Sequence, residues 1–102
     1  MREATIEARL VREVRRLGGL CYKFTSPGNP VVPDRIVILP DGRTIYVELT
    51  TEIGRLSKRQ TWQREELPTR GADVRVLKGL DQVKEFLDEV RAGERQKTNT
   101  RC

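Results

Sequence analysis

Pro33-Asp34-Arg35-Ile36-Val37-Ile38-Leu39-Pro40-Asp41-Gly42-Arg43-Thr44-Ile45-Tyr46-Val47-Glu48-Leu49-Thr50 is the stretch on which the fold turns. Two β-rich runs, Arg35–Leu39 and Thr44–Leu49, flank the turn formers Pro40-Asp41-Gly42-Arg43, so the stretch predicts a hairpin. Alternation along Thr44–Thr50 sorts Ile45, Val47 and Leu49 onto one face and Tyr46, Glu48 and Thr50 onto the other. Glu48 thus lies late in a hydrophobic strand, where acids are disfavoured. A four-residue turn sets Asp34, just after Pro33, across the ladder from Glu48. Two carboxylates held that close repel each other unless a divalent cation or a proton lies between them. Taken alone, Asp34 reads as an ordinary loop-end aspartate. With Glu48 opposite, and an inward acid on the preceding helix, it reads as half of a site.

That helix lies upstream. Ile6, Leu10, Val14 and Leu17 recur at helical spacing between Arg2 and Leu17, and Gly18-Gly19 stops the run. On a wheel advancing about 100° per residue, Glu7 falls inside the apolar arc. Glu3 shares the arc but sits in the first turn, where fraying and the helix dipole account for an acid. A carboxylate aimed at the core needs a partner. Glu7 therefore reads equally as an arginine-paired or snorkelling glutamate and as a functional acid. Leu20–Thr25 alternates as a strand, with Leu20, Tyr22 and Phe24 on one face and Cys21, Lys23 and Thr25 on the other. Ser26-Pro27-Gly28-Asn29-Pro30 is a loop that Pro33 closes.

Downstream, Thr51–Leu56 is a polar connection containing Gly54. Ser57–Leu67 predicts a helix, with Ser57 and Gln60 spaced as a capping box and Pro68 as its stop. Asp73–Leu77 is a short strand after Gly71. Asp81–Val90 is an amphipathic helix with Val83, Phe86, Leu87 and Val90 on one stripe and Asp81 as its cap. The order α-β-β-β-α-β-α is an α/β layer flanked by helices: one domain over residues 1–91, then a polar tail, 92–102, expected to be disordered.

Composition narrows the chemistry. The 102 residues carry 20 Lys+Arg against 15 Asp+Glu, a net charge of +5 that suits a polyanionic partner. The chain is too short for a barrel enzyme or a doubly wound dinucleotide-binding pair, and no nucleotide cofactor is expected. Hydrophobic residues make up 36%, so the core is thin and oligomerisation would help to cover it. There is no histidine, which removes Ser-His-Asp triads, Cys-His nucleophiles and His-ligated zinc. Cys21 and Cys102 cannot build a disulfide framework or a four-cysteine metal site, so a reducing cytoplasm is expected. The longest aliphatic run, Ile36 to Leu39, is far too short to span a bilayer.

An enzyme of this composition works with carboxylates, lysines and a metal. Mg²⁺ takes hard oxygen ligands, commonly one or two carboxylates with several waters. Such an ion can bind a phosphodiester oxygen and lower the pKa of a bound water. The backbone carbonyl of Leu49, beside Glu48, offers a further protein ligand.

The basic residues divide. Arg9, Arg12, Arg15 and Arg16 decorate the outward side of the first helix and read as solvated surface balanced by acids such as Glu13. Arg55, Lys58 and Arg59 lie close in sequence to Glu48 at a helix N-terminus, where backbone N–H groups and cations both meet phosphates. Trp62, without aromatic neighbours, reads as core or dimer interface rather than a base-stacking platform.

Pro33-Asp34, the hairpin and Glu48-Leu49-Thr50 resemble the PD…ExK pattern of restriction-endonuclease-like nucleases, with Glu7 completing it. More narrowly, Lys23-Phe24-Thr25-Ser26-Pro27-Gly28-Asn29-Pro30 through Pro33-Asp34-Arg35-Ile36-Val37 is similar to the VRR-NUC family. So are Tyr46-Val47-Glu48-Leu49, Gly54-Arg55-Leu56-Ser57 with Gln60, and Gly71-Ala72-Asp73-Val74. PD…ExK alone is a weak motif; the intervening pieces in the right order, from Glu7 to Leu77, make the match specific.

The resemblance implies an αβββαβ core with a C-terminal helix. It also implies a Mg²⁺- or Mn²⁺-dependent DNA endonuclease selective for branched DNA such as four-way junctions. A stand-alone, phage-type homodimer in the host cytoplasm is part of the same expectation. By position, Glu7, Asp34, Glu48 and the Leu49 carbonyl would hold metal, Gln60 would stand beside the site, and Lys23, Ser26, Arg55, Lys58 and Arg59 would face DNA.

One departure matters: the family's lysine, at the third place of ExK, is Thr50 here. A threonine hydroxyl holds a water but carries no charge. Losing one preorganised donor of comparable role costs about 2.7–4 kcal/mol, or roughly 10²–10³ in rate. The chain therefore reads as a weakened or inactivated nuclease, or as one in which Lys23, Arg55 or Lys58 takes the lysine's part. The rival reading, from another class, is a non-catalytic DNA-binding module that keeps the fold.

Overall fold

The computed structural model describes residues 2–28, 32–56 and 58–100, the side chains of 59, 63, 64 and 94–100 apart. Its elements run α1 (Glu3–Arg16), β1 (Leu20–Lys23), β2 (Arg35–Ile38), β3 (Thr44–Thr50), α2 (Lys58–Thr69), β4 (Asp73–Lys78) and α3 (Gly79–Thr100). The α/β order expected from the sequence is the one found.

The first helix ends where its glycines stand. Gly18 adopts φ +91°, a left-handed backbone that costs glycine little. Its N–H reaches the Arg15 carbonyl at 3.0 Å, while Gly19 N–H reaches back to Val14 at 2.9 Å. This pair of bonds satisfies carbonyls that the last turn leaves open and sends the chain into β1.

The strands form one sheet in the order β1-β2-β3-β4. β1, β2 and β3 are antiparallel neighbours, and β3 pairs with β4 in parallel across the α2 crossover. α1 and α3 pack together on one face, and α2 packs against β4. The core lies under α1 and α3: Ile6, Leu10 and Val14 from α1, Val37, Ile45 and Val47 from the sheet, and Val83, Phe86, Leu87 and Val90 from α3. The helices are also tied by charge. Glu13 of α1, buried, accepts from Arg91 of α3 at 3.1 Å. No helix among the described residues is long and apolar enough to cross a membrane.

Several boundaries shift for identifiable reasons. β1 ends at Lys23, two residues short of the expected Thr25, although Phe24 N–H still bonds the Asp34 carbonyl at 3.1 Å. β2 ends at Ile38 because Leu39 N–H turns to the Arg43 carbonyl, 2.9 Å away, and closes the hairpin. α2 outlasts Pro68 by one residue: the ring removes one i→i−4 bond, but so near the helix end that only Thr69 follows. The proposed Ser57–Gln60 capping box lies partly outside the described residues, because Ser57 is not among them.

The last helix departs most. It begins at Gly79, so Asp81 stands in its first turn rather than at its cap. Gln82 instead accepts from Lys78 N–H at 2.8 Å. Its backbone stays helical to Thr100, where a disordered tail from residue 92 was expected. The apolar stripe stops at Val90, but the residues beyond it include strong helix formers such as Glu94, Arg95, Gln96 and Lys97.

β1 also turns its less obvious face inward. Cys21 is buried while Leu20 and Tyr22 are 45% and 54% exposed. The register lines up Tyr22, Ile36, Tyr46 and Val74 across all four strands on the face away from α1.

Leu10 is fully buried between the two packed helices and the sheet. Leu10→Ala is expected to cost about 2–5 kcal/mol, read as a lowered midpoint in urea unfolding.

Candidate active site

The hairpin register fixes the centre of the site. Arg35 pairs with Val47, so one step outward Asp34 stands opposite Glu48. Asp34 lies just before the first β2 residue, where its side chain is free to turn onto the partner strand. Its Oδ2 accepts the Leu49 backbone N–H at 2.7 Å. That bond pins the carboxyl beside Glu48 and satisfies a strand amide at the same time.

Glu48 is 4% exposed. Its neighbour in the parallel register is Val76 of β4. From the helix beyond, Gln60 Nε2 donates to Glu48 Oε1 at 3.3 Å. Burial comes first in setting its acidity, followed by a hydrogen bond with Asp34 and the charge of Asp34. Together they push Glu48 up to about 8, against a smaller opposing effect of Gln60. Near neutral pH Glu48 therefore keeps its proton.

Glu7 answers the question that its inward position poses: Arg35 Nε donates to its Oε2 at 2.7 Å. Arg35 also reaches the Cys21 carbonyl at 3.5 Å. Glu7 nonetheless lines the same cleft as Asp34, a space of about 370 Å³ walled also by Lys23, Phe24, Ser26 and Pro33. Glu3 stands on that wall too. Its own burial, then the charges of Asp34 and Glu7, raise it above the usual carboxylate range. Sequence reasoning set Glu3 aside as a first-turn acid; its spacing of four from Glu7 was the available signal.

The remaining expected residues separate. Thr50 is 7% exposed, two residues along β3 from Glu48. Its hydroxyl lies so close to Gly54 that any Cβ there would overlap it. Leu49 sends its side chain into the core. Lys23 and Ser26 line the cleft, whereas Arg55 and Lys58 are exposed and do not. The Arg59 side chain is outside the described residues.

The centre is thus a carboxyl pair, Asp34 and Glu48, with Glu7 held by Arg35 and Glu3 at the rim. Among the described residues no three acidic or thiol groups are close enough to share one ion. The pair still has the donor chemistry a hard divalent cation selects, carboxyl oxygens held side by side; burial, then the bond with Asp34 and its charge, keep a proton on Glu48 that a bound ion would displace.

Known proteins share this architecture. No family model matches the chain. A protein of Acyrthosiphon pisum secondary endosymbiont phage 1, named "Putative nuclease p44", is 43% identical over 81 residues, which cover 79% of this chain and 87% of that protein. A solved VRR_NUC domain superposes with a TM-score of 0.80 at 30% identity, over 84% of this chain and 94% of its own. With this identity, coverage and likeness of fold, the chain belongs to the VRR-NUC family of nucleases, of restriction-endonuclease-like fold.

Proposed function

We propose that this nuclease is a divalent-metal-dependent DNA endonuclease, selective for branched DNA such as four-way junctions, and weakened by Thr50. The observation that carries the reading is the Asp34–Glu48 pair: two carboxyls opposed on a hairpin, one forced to keep its proton. Asp34 and Glu48 would hold Mg²⁺ or Mn²⁺, with the Leu49 carbonyl beside them and Glu7 on the cleft wall. When bound, such an ion supplies Lewis acidity toward a phosphodiester oxygen and lowers the pKa of water.

The chain's own residues do the rest. Leu49 N–H orients the Asp34 carboxylate, and Gln60 orients that of Glu48. The Glu7–Arg35 ion pair sets the α1 side of the cleft. Lys23, exposed in that cleft, is the cation available to a scissile phosphate there. Thr50 offers a hydroxyl but no charge, and its buried position beside Gly54 leaves the phosphate without the lysine that the family places here. That same substitution favours the second reading, a DNA-binding module without turnover.

Homodimerisation belongs to the proposal. The row of exposed Tyr22 and half-buried Ile36 and Tyr46 offers a second copy an apolar surface, and a small thin-cored chain gains most from covering one.

Three sets of measurements check this reading, the first on cleavage and ion binding. With a labelled four-way junction and Mn²⁺, Thr50→Lys is expected to raise cleavage by roughly 10²–10³ over the parent chain. Asp34→Ala is expected to abolish both ion binding by calorimetry and cleavage; retention of both would overturn the proposal. Binding without cleavage by parent and Thr50→Lys alike would leave the non-catalytic module.

The second measurement concerns pH. Glu48 titrates near 8 in the fold against an ordinary 4.5. Between those values the folded state keeps a proton that the unfolded chain has lost. In chelator, stability should therefore be full below about 4.5 and fall as pH rises through 8. Thermal unfolding of Glu48→Gln should lack this slope.

The third concerns assembly. Tyr22→Glu should shift sedimentation from dimer to monomer while circular dichroism stays unchanged.

A further inference from the structure

The arginines of α1 do not share one environment. Arg9 lies on the side facing α3, in a groove with Glu13 and Arg91. Arg12, Arg15 and Arg16 lie on the other side, where they meet Arg35 of β2. These four guanidinium groups wall a groove of about 610 Å³ whose remaining lining is Ala8 and Val11.

Position connects this groove to the cleft. Arg35 lines the groove and Glu7 lines the cleft, and the two side chains are bonded at 2.7 Å. Lys23, on the cleft wall, is the β1 residue paired with Arg35 in the sheet. Arg15 lies near enough to Cys21, with Arg35, for its charge to bear on the buried thiol. A line of positive charge thus leads away from the carboxyl pair along α1.

The acids facing the line are accounted for. Glu7 neutralises part of Arg35. Glu13 accepts from Arg16 at 3.3 Å and lies 3.7 Å from Arg12, yet is also held by Arg91 from behind. The Arg12 and Arg16 side chains remain 59% and 71% exposed. Arg15 has no ion pair among the described residues. One acid shared among several arginines leaves the groove cationic.

We propose that this groove binds the sugar–phosphate backbone of a DNA duplex arm as it leaves the active site. The inference deepens the nuclease reading and rests on it. Three features select the occupant. Guanidinium forks match phosphate oxygens in pairs. The floor is aliphatic, with no aromatic ring on which splayed single-strand bases could stack. The carboxyl-rich cleft next to it repels a polyanion, so attraction must come from flanking charge. These contacts position the duplex and carry no base sequence.

The test is duplex binding in chelator, by fluorescence anisotropy across a salt series, so that cleavage plays no part. Arg15→Gln is the cleanest single change, because it leaves the partners of Glu13 in place. It should reduce the slope of log K against log salt by about 0.9, and the triple Arg12→Gln/Arg15→Gln/Arg16→Gln by nearly three times that. The triple lysine variant should keep the parent slope and control for folding. Parent binding with an unchanged slope in both glutamine variants would overturn the groove while leaving the nuclease reading intact. Equal arginine dependence for a single strand of the same length would overturn the duplex assignment. A parent chain that binds no duplex at low salt would overturn the groove and the nuclease reading together.

Discussion

The opposition of Asp34 and Glu48 is the constraint around which the molecule is arranged. A hairpin ladder has a period of two, so slipping it by one residue would send Glu48 into the α1 core and Val47 to the other face. The register is therefore held from both sides. Val37, Ile45 and Val47 must be buried under α1 and α3, and the Asp34 carboxylate must reach the Leu49 amide. Hydrophobic burial and a short hydrogen bond thus demand the same alignment. The cost is electrostatic: burial in a sheet is a poor place for a second carboxyl, and Glu48 keeps its proton as a result.

Around that pair the remaining charges fall into shells of partnership. Glu7 takes Arg35, Glu13 takes Arg91 and Arg16, and Gln60 supports Glu48. Among the described residues that line the cleft, Glu3 at its mouth is the acid whose side chain makes no hydrogen bond or ion pair. A site that concentrates negative charge while the chain carries an excess of positive charge needs geometry to keep the two apart. α1 does this by placing acids along one edge and arginines along the next.

Much of this was legible in the chain. The spacing of Ile6, Leu10 and Val14 defined α1, and the alternation around Pro40-Asp41-Gly42-Arg43 defined the hairpin and hence the Asp34–Glu48 neighbourhood. Those are local patterns with fixed periods. What escaped depends on distant partners. Glu7 meets Arg35 across 28 positions, and wheel geometry alone leaves its partner open. β1 alternates cleanly, yet the face with Leu20 and Tyr22 stays outside while the smaller Cys21 goes in, because α1 chooses the side. The arginines of α1 read as solvated surface until β2 brings Arg35 among them. In the last helix, periodicity ended at Val90 but propensity did not, so the backbone ran on.

The bridge between Glu13 and Arg91 spans 78 positions of the chain. With it goes the cover that α3 lays over the apolar stripe of α1. During synthesis the first helix emerges with Ile6, Leu10 and Val14 uncovered, and its lid, α3, is made only after all four strands of the sheet. The hairpin can close early, because its contacts are local, but the layer above the sheet cannot close until α3 has emerged. For that interval the nascent chain presents a greasy helix beside an open sheet edge. How long that surface stays open depends on how soon α3 follows the sheet, not on the stability of the finished fold.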